Sequence, residues 1–229
     1  MDGAVLKPDV GVTITLAAGI AEAPMAQIFD ANGVQYIPNF LNHWTPEPGG
    51  YVVVKDIPEV YPQWWGAVAD GTTPSQIPLC AAFQSASMSA DDGQRAKVMI
   101  PAGEYYCEFW LLLKSNTTIE NRGYLKFQGG NNVGSFVSIL QQSNIEFYGS
   151  VVDSNLQTND NAIGIGSLED NEQCDNIWIH DVLIKNAKHG GVHIPDINFP
   201  GDVGRGDAQL CRAVGVVLGL GPVGRGAQL

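Results

Sequence analysis

Three stretches in the middle of the chain repeat one pattern, and that pattern restricts the fold more than any other feature. They are Ser115-Asn116-Thr117-Thr118-Ile119-Glu120, Ser143-Asn144-Ile145-Glu146-Phe147 and Asp175-Asn176-Ile177-Trp178-Ile179. Their asparagines lie 28 and then 32 residues apart. Each stretch reads as a turn followed by a strand of alternating character. A second β-like run follows each: Tyr124-Leu125-Lys126-Phe127, Val151-Val152-Asp153 and Val182-Leu183-Ile184. A strand-built repeat of this length implies coils stacked on one another. A lone coil exposes backbone donors and acceptors that only the next coil can pair. Apolar side chains at alternate positions would fill the interior. Asn116, Asn144 and Asn176 would stack as an internal ladder at the corners, where side-chain amides satisfy turn backbone.

The chain leads into this repeat through Tyr61 to Tyr106. That segment reads YPQWWGAVADG, then an alanine-rich run, then VMIPAGEYY. It resembles the opening of the pectate-lyase-like right-handed parallel β-helix superfamily, which includes polysaccharide-degrading enzymes and phage tailspikes. The usual form there is roughly FGAxGDGxTDDTxAIQxA…VxxPxGxY. The matching residues are Trp65, Gly66, Ala67, Asp70, Gly71, Thr73, Leu79, Ala82, Val98, Pro101, Gly103 and Tyr105. Ala69 stands where the pattern has its middle glycine, and the two aspartates after Thr73 are missing. The resemblance implies an all-β fold: a right-handed single-stranded parallel β-helix with a short N-terminal β region and one capping α-helix. It also implies a phage tailspike-like or extracellular protein that binds and depolymerises a bacterial surface glycan. The expected partners are polysaccharide, a homotrimer or virion tail proteins, and the expected location is extracellular or the virion tail. The alternatives are a non-catalytic carbohydrate-binding or structural virion component, and a truncated fragment without an active site.

Three regions follow from the pattern. Residues 1–60 form a β-rich lead-in. Val12, Ile14 and Leu16 alternate with Thr13 and Thr15, Gln27-Ile28-Phe29 makes a second strand, and Tyr51-Val52-Val53-Val54 is a β-branched run. Residues 61–199 hold the capping helix and the first coils. The helix is expected over Thr73 to Ala86, capped by Thr72 or Thr73, with Leu79, Phe83 and Ala86 on one face. Pro78 inside it argues for a later start. Residues 200–229 form a glycine-rich tail in which VGRGDAQL nearly returns as VGRGAQL and no further coil is visible. Only three or four coils can be read, so the chain is expected to be the N-terminal portion of a longer protein.

Composition narrows the function classes. Glycine (27) and proline (13) are plentiful and charged residues are few at 16%, which fits a turn-dense β protein. The net charge of -12 repels nucleic acid and anionic lipid, so neither nucleic-acid binding nor membrane insertion is expected. Cys80, Cys107, Cys174 and Cys211 form no paired motif, so they read as small buried residues. The opening MDGAVLKPDVG lacks the basic and apolar regions of a signal peptide.

Hydrolysis of a glycosidic bond generally uses two carboxyl groups, one protonated and one ionised. Carboxylates are densest between Asp153 and Asp181. Asp153 sits on a strand, where it would face outward. Asp160 lies in TNDNAIGIGS, which faintly resembles the NTDGxDIxxS strand of polygalacturonase-type hydrolases through Asp160 and Ser167. Ile163 replaces that pattern's second aspartate. Asp153 and Asp160 are therefore the catalytic candidates. Trp44, Trp178 and His189 are the candidates for substrate contact, since flat apolar rings stack on pyranoses. For Trp65 and Trp178, packing inside the coils is the competing reading. No metal ligand set and no cofactor motif is seen.

Overall fold

The computed structural model describes residues 5–9, 11–17, 26–30, 51–55, 57–90, 95–129, 135–156, 161–166 and 174–194, and the backbone of 215–218. Fifteen strands and one α-helix are assigned there. Strands β1 (Thr13–Ala17) and β2 (Tyr51–Lys55) pair in parallel, and the turn Pro62–Trp65 follows. Then come β3 (Asp70–Pro74), α1 (Gln76–Ser89), β4 (Ala96–Ile100), β5 (Glu104–Cys107) and β6 (Leu111–Leu112). The repeat region supplies β7 (Thr117–Asn121), β8 (Tyr124–Phe127), β9 (Val137–Leu140), β10 (Ile145–Tyr148), β11 (Val151–Asp153) and β12 (Asn161–Gly166). The last strands are β13 (Ile177–Lys185), β14 (Gly190–His193) and β15 (Gly215–Leu218).

Every strand pairing is parallel, and successive strands visit three stacks in rotation. The first stack runs β4, β7, β10 and the first half of β13. The second runs β3, β5, β8, β11 and the second half of β13. The third runs β6, β9, β12 and β14. The protein is thus mostly β, with parallel strands in curled sheets. β13 passes from the first stack to the second within one strand, bending at Asp181, where φ is 55°. Before the first full coil, Val60 bridges Val98 in parallel and β3 pairs with β5, so a partial coil precedes it.

Period-two alternation decides which residues enter the core. In β7, β10 and the first half of β13, every second side chain points inward. Register brings Val98, Ile119, Phe147 and Ile179 into one column, all 1% exposed or less. Tyr105, Leu125 and Val152 form a column in the second stack. Leu111, Val137 and Ile163 form one in the third. Each fully buried Ile or Phe contributes on the order of 1.5–3 kcal/mol.

The Ser-Asn and Asp-Asn pairs turn the third stack into the first. Asn116, Asn144 and Asn176 all have left-handed backbones, with φ of 59°, 59° and 52°. Asparagine enters this region more readily than most residues. Their amides form a ladder: Asn144 Nδ2 donates to Asn116 Oδ1 at 3.0 Å, and Asn176 Nδ2 to Asn144 Oδ1 at 3.0 Å. A second ladder runs beside it, in which Ser143 N donates to Ser115 Oγ and Asp175 N to Ser143 Oγ. The ladder lies at a half-buried to exposed corner, not inside the bore. A left-handed corner turns its side chain along the rim, where it meets the neighbouring corners and, at Asn144, Arg95 Nε at 2.9 Å.

The helix starts later than the threonines predict. Asp70 accepts from the backbone N–H of Thr72 and Thr73 and from Thr73 Oγ1, holding this stretch as turn and strand. Ser75 precedes the first helical residue, Gln76. Pro78 then falls in the first turn, where its missing N–H has no helical acceptor to lose. Leu79, Phe83 and Ala86 are fully buried, and α1 packs against β2, β4 and β6. The double tryptophan is core: Trp64 and Trp65 are buried, and Trp65 meets Phe29 at 5.1 Å. Gly103, at φ 140°, brings its backbone against Ala69, where a Cβ would stand 2.5 Å from the Ala69 Cβ. The two halves of the lead-in motif touch at that point.

In the tail, β15 pairs with β13 through Trp178↔Gly215, Ile179↔Val216 and His180↔Val217. Strand pairing therefore continues where the sequence shows no further coil, because a strand needs only backbone register and not the Ser-Asn signature.

Candidate functional site

The same alternation that buries Ile145, Phe147, Ile177 and Ile179 turns Glu146, Tyr148, Trp178 and His180 outward. On β7 it turns Thr118 and Glu120 outward. Register then lines up Thr118, Glu146 and Trp178 in one outer row, and Glu120, Tyr148 and His180 in the next. The Tyr148 and His180 rings stack at 5.0 Å and 6°. That distance is close to the spacing of neighbouring strands, about 4.7–4.9 Å, so the sheet itself sets the stack. Trp178, two residues before His180 on the same face, meets its ring at 4.5 Å. Trp178 is 46% exposed. The residue opposite it on β15 is Gly215, which has no side chain to cover the indole.

Charge surrounds this aromatic shelf. Glu120 accepts from Lys97 Nζ at 2.8 Å, Arg122 Nε at 2.5 Å and the Tyr148 hydroxyl at 3.0 Å. Burial opposes its charge, but these three donors outweigh burial and hold the carboxyl down at about 2. Lys97 also reaches Glu59 at 2.7 Å, and bonds to both carboxylates raise its pKa. Glu146 accepts from Arg95 Nη1 at 3.0 Å and Thr118 Oγ1 at 3.1 Å. His180 lies between Glu146 Oε1 at 3.3 Å and Asp181 Oδ2 at 2.8 Å. Burial alone would lower its pKa, but the two carboxylates outweigh burial and raise it above 6.5. The protonated ring donates to both acids at once.

The sequence candidates fall in different places. Asp153 ends β11 in the outer row of the second stack, between Lys126 and Lys185. It faces outward but is only 3% exposed. Its Oδ1 accepts from the Asn155 N–H at 2.8 Å and Asn186 Nδ2 at 2.9 Å, and the Tyr124 hydroxyl donates to Oδ2. Lys185 Nζ sits 5.3 Å above the Tyr124 ring. Trp178 stands on the first stack. His189 is exposed just before β14, on the third. Asp153, Trp178 and His189 thus occupy three different stacks. Asp160 and Trp44 lie outside the described residues.

Sequence reasoning missed Glu120, Glu146, Tyr148 and His180. The signal was present: aligning the repeated segments and applying strict alternation turns all four outward. What alternation does not supply is the cross-coil register that brings Lys97 and Arg95 to them; Arg122 is two residues from Glu120 in the same coil. Among the described residues, no group of three or more His, Cys, Asp or Glu side chains could hold a metal ion. Cys107 and Cys174 are buried free thiols, and Cys80 is half-buried.

Chemically, the face offers an apolar ring surface edged by carboxylates that accept hydrogen bonds from cationic side chains. It is built to stack and to accept hydrogen bonds. With its carboxyl held down at about 2, Glu120 has no proton to donate near neutral pH. Comparison with family models, curated proteins and solved structures finds no match to this chain.

Proposed function

We propose that the stacked coils form a right-handed parallel β-helix and that the chain is a tailspike-like, extracellular polysaccharide-binding protein. The three-stack rotation, the inward apolar columns and the asparagine ladder support the fold. The observation that carries the function is Trp178, a large apolar ring left open on the outer face of a coil beside the Tyr148–His180 stack. Rings held by a rigid sheet make a low-entropy platform for a sugar. The reading carries with it a bacterial surface glycan as ligand and a virion-tail or extracellular location, with a homotrimer or tail proteins as partners. Binding without cleavage is favoured, because both oxygens of Asp153 are engaged and Glu120 stays ionised. In the cleaving form of the reading, Asp153 and Asp160 are the carboxylates.

Electrophoresis through gels cast with bacterial surface polysaccharides tests this. Retarded migration with a matching glycan is expected, and Trp178→Ala should weaken binding at least about tenfold, equivalent to about 1.4 kcal/mol. Reducing ends and ultraviolet absorbance followed in the same mixtures should stay flat. Product release that disappears in Asp153→Asn or Asp160→Asn would instead make the protein a depolymerase. Unretarded migration across the panel would remove the polysaccharide reading.

A further inference from the structure

We infer that the Trp178 shelf takes neutral pyranose residues and excludes uronic acids and other anionic sugars. This rests on the polysaccharide-binding reading and adds the class of sugar.

An anionic sugar needs a cation that is free to meet it. Among the described residues, each cation reaching this face already holds a carboxylate: Arg95 on Glu146 at 3.0 Å, Lys97 on Glu59 and Glu120 at 2.7 and 2.8 Å, Arg122 on Glu120 through Nε at 2.5 Å, and the His180 ring between Glu146 and Asp181. The groups nearest the rings are instead acceptors. Asp181 has a side chain 75% exposed with one oxygen on His180, and Glu146 lies on the other side of that ring. A sugar carboxylate placed beside either acid meets like-charge repulsion, which grows as the sugar itself shields the pair from water. A neutral sugar meets none of it. Its ring C–H face lies on the indole, and its hydroxyls donate to the carboxylate rim, as charge-assisted hydrogen bonds do elsewhere. The net charge of -12 acts in the same direction at longer range, repelling a polyanion before contact.

The test uses the full chain on an immobilised panel of neutral and uronic-acid-containing capsular polysaccharides, at low and at high salt. Retention of neutral members is expected, with affinity changing less than about twofold between 20 and 500 mM salt, since screening acts on charge and not on stacking. Trp178→Ala should weaken that retention at least about tenfold. Tighter binding of the uronic-acid members that falls with salt and vanishes in Arg122→Ala would overturn the inference while leaving polysaccharide binding standing. Retention of neither class would remove both.

Discussion

At Glu120, two cations and a phenol converge on one carboxylate that also loses water to burial. The net effect is a carboxyl held at about 2 in the folded chain against 4.5 as its ordinary value. A group lowered in this way stabilises the fold fully above its unfolded value, and the contribution is lost as pH falls through the folded one. Glu120→Gln is therefore expected to destabilise the protein by about 1–2 kcal/mol at pH 7, as loss of hydrogen bonds to a charged group does. The gap from wild type should close between about pH 4.5 and pH 2. Urea unfolding at several pH values reads this directly, and a gap independent of pH would contradict it. The glutamates were visible in the sequence as outward positions of alternating strands. Their partners were not. Lys97 and Arg95 reach them across one or two coils, through the pairing of β4 with β7 and of β7 with β10, and no Ser-Asn signature precedes β4 to set that register. Asp153 shows the converse. Its strand and outward direction were legible, but Tyr124 and Asn186, which close over it, come from other coils.

Among the elements, the corners carry the most information. Asn144 combines a left-handed backbone with bonds to Asn116, Asn176 and Arg95. Asn144→Ala loses all three bonds and strains the corner, so a loss of about 2–4 kcal/mol is expected. Asn144→Gly removes the amide but relaxes the backbone and should fall between the two. Equal losses for the Ala and Gly variants in chemical denaturation would show that the backbone term is absent. The repeated asparagines were readable as structural because their spacing recurs. The companion serine ladder was not, since Asp175 replaces serine in the last coil and uses only its backbone N–H. The helix gave a mixed outcome for a physical reason. Its buried face was plain, but Thr72 and Thr73 cap nothing because Asp70 holds their backbone first. The start moved to a position where Pro78 is harmless.

For the molecule as a whole, the coils supply a rigid ruler and the outer face reads it. Tyr148 and His180 are stacked because adjacent strands are one strand-spacing apart, and Trp178, opposite Gly215 in register, is exposed. The lead-in motif, partial coil and helix end the stack on one side. They specify a fold and leave chemistry to the later outer rows. The lead-in was the most legible part of the sequence and the least informative about binding. The shelf was the reverse, because it exists only once the coils are in register. We propose that a polysaccharide covers Trp178. Acrylamide quenching of tryptophan fluorescence, with and without the bound glycan, measures this in one experiment. The chain has five tryptophans, so the Trp178 contribution is read as the difference from Trp178→Phe. Glycan protection of a quenchable fraction that is missing in Trp178→Phe is the predicted result. A glycan that binds while that fraction stays fully quenchable would place the binding site away from Trp178.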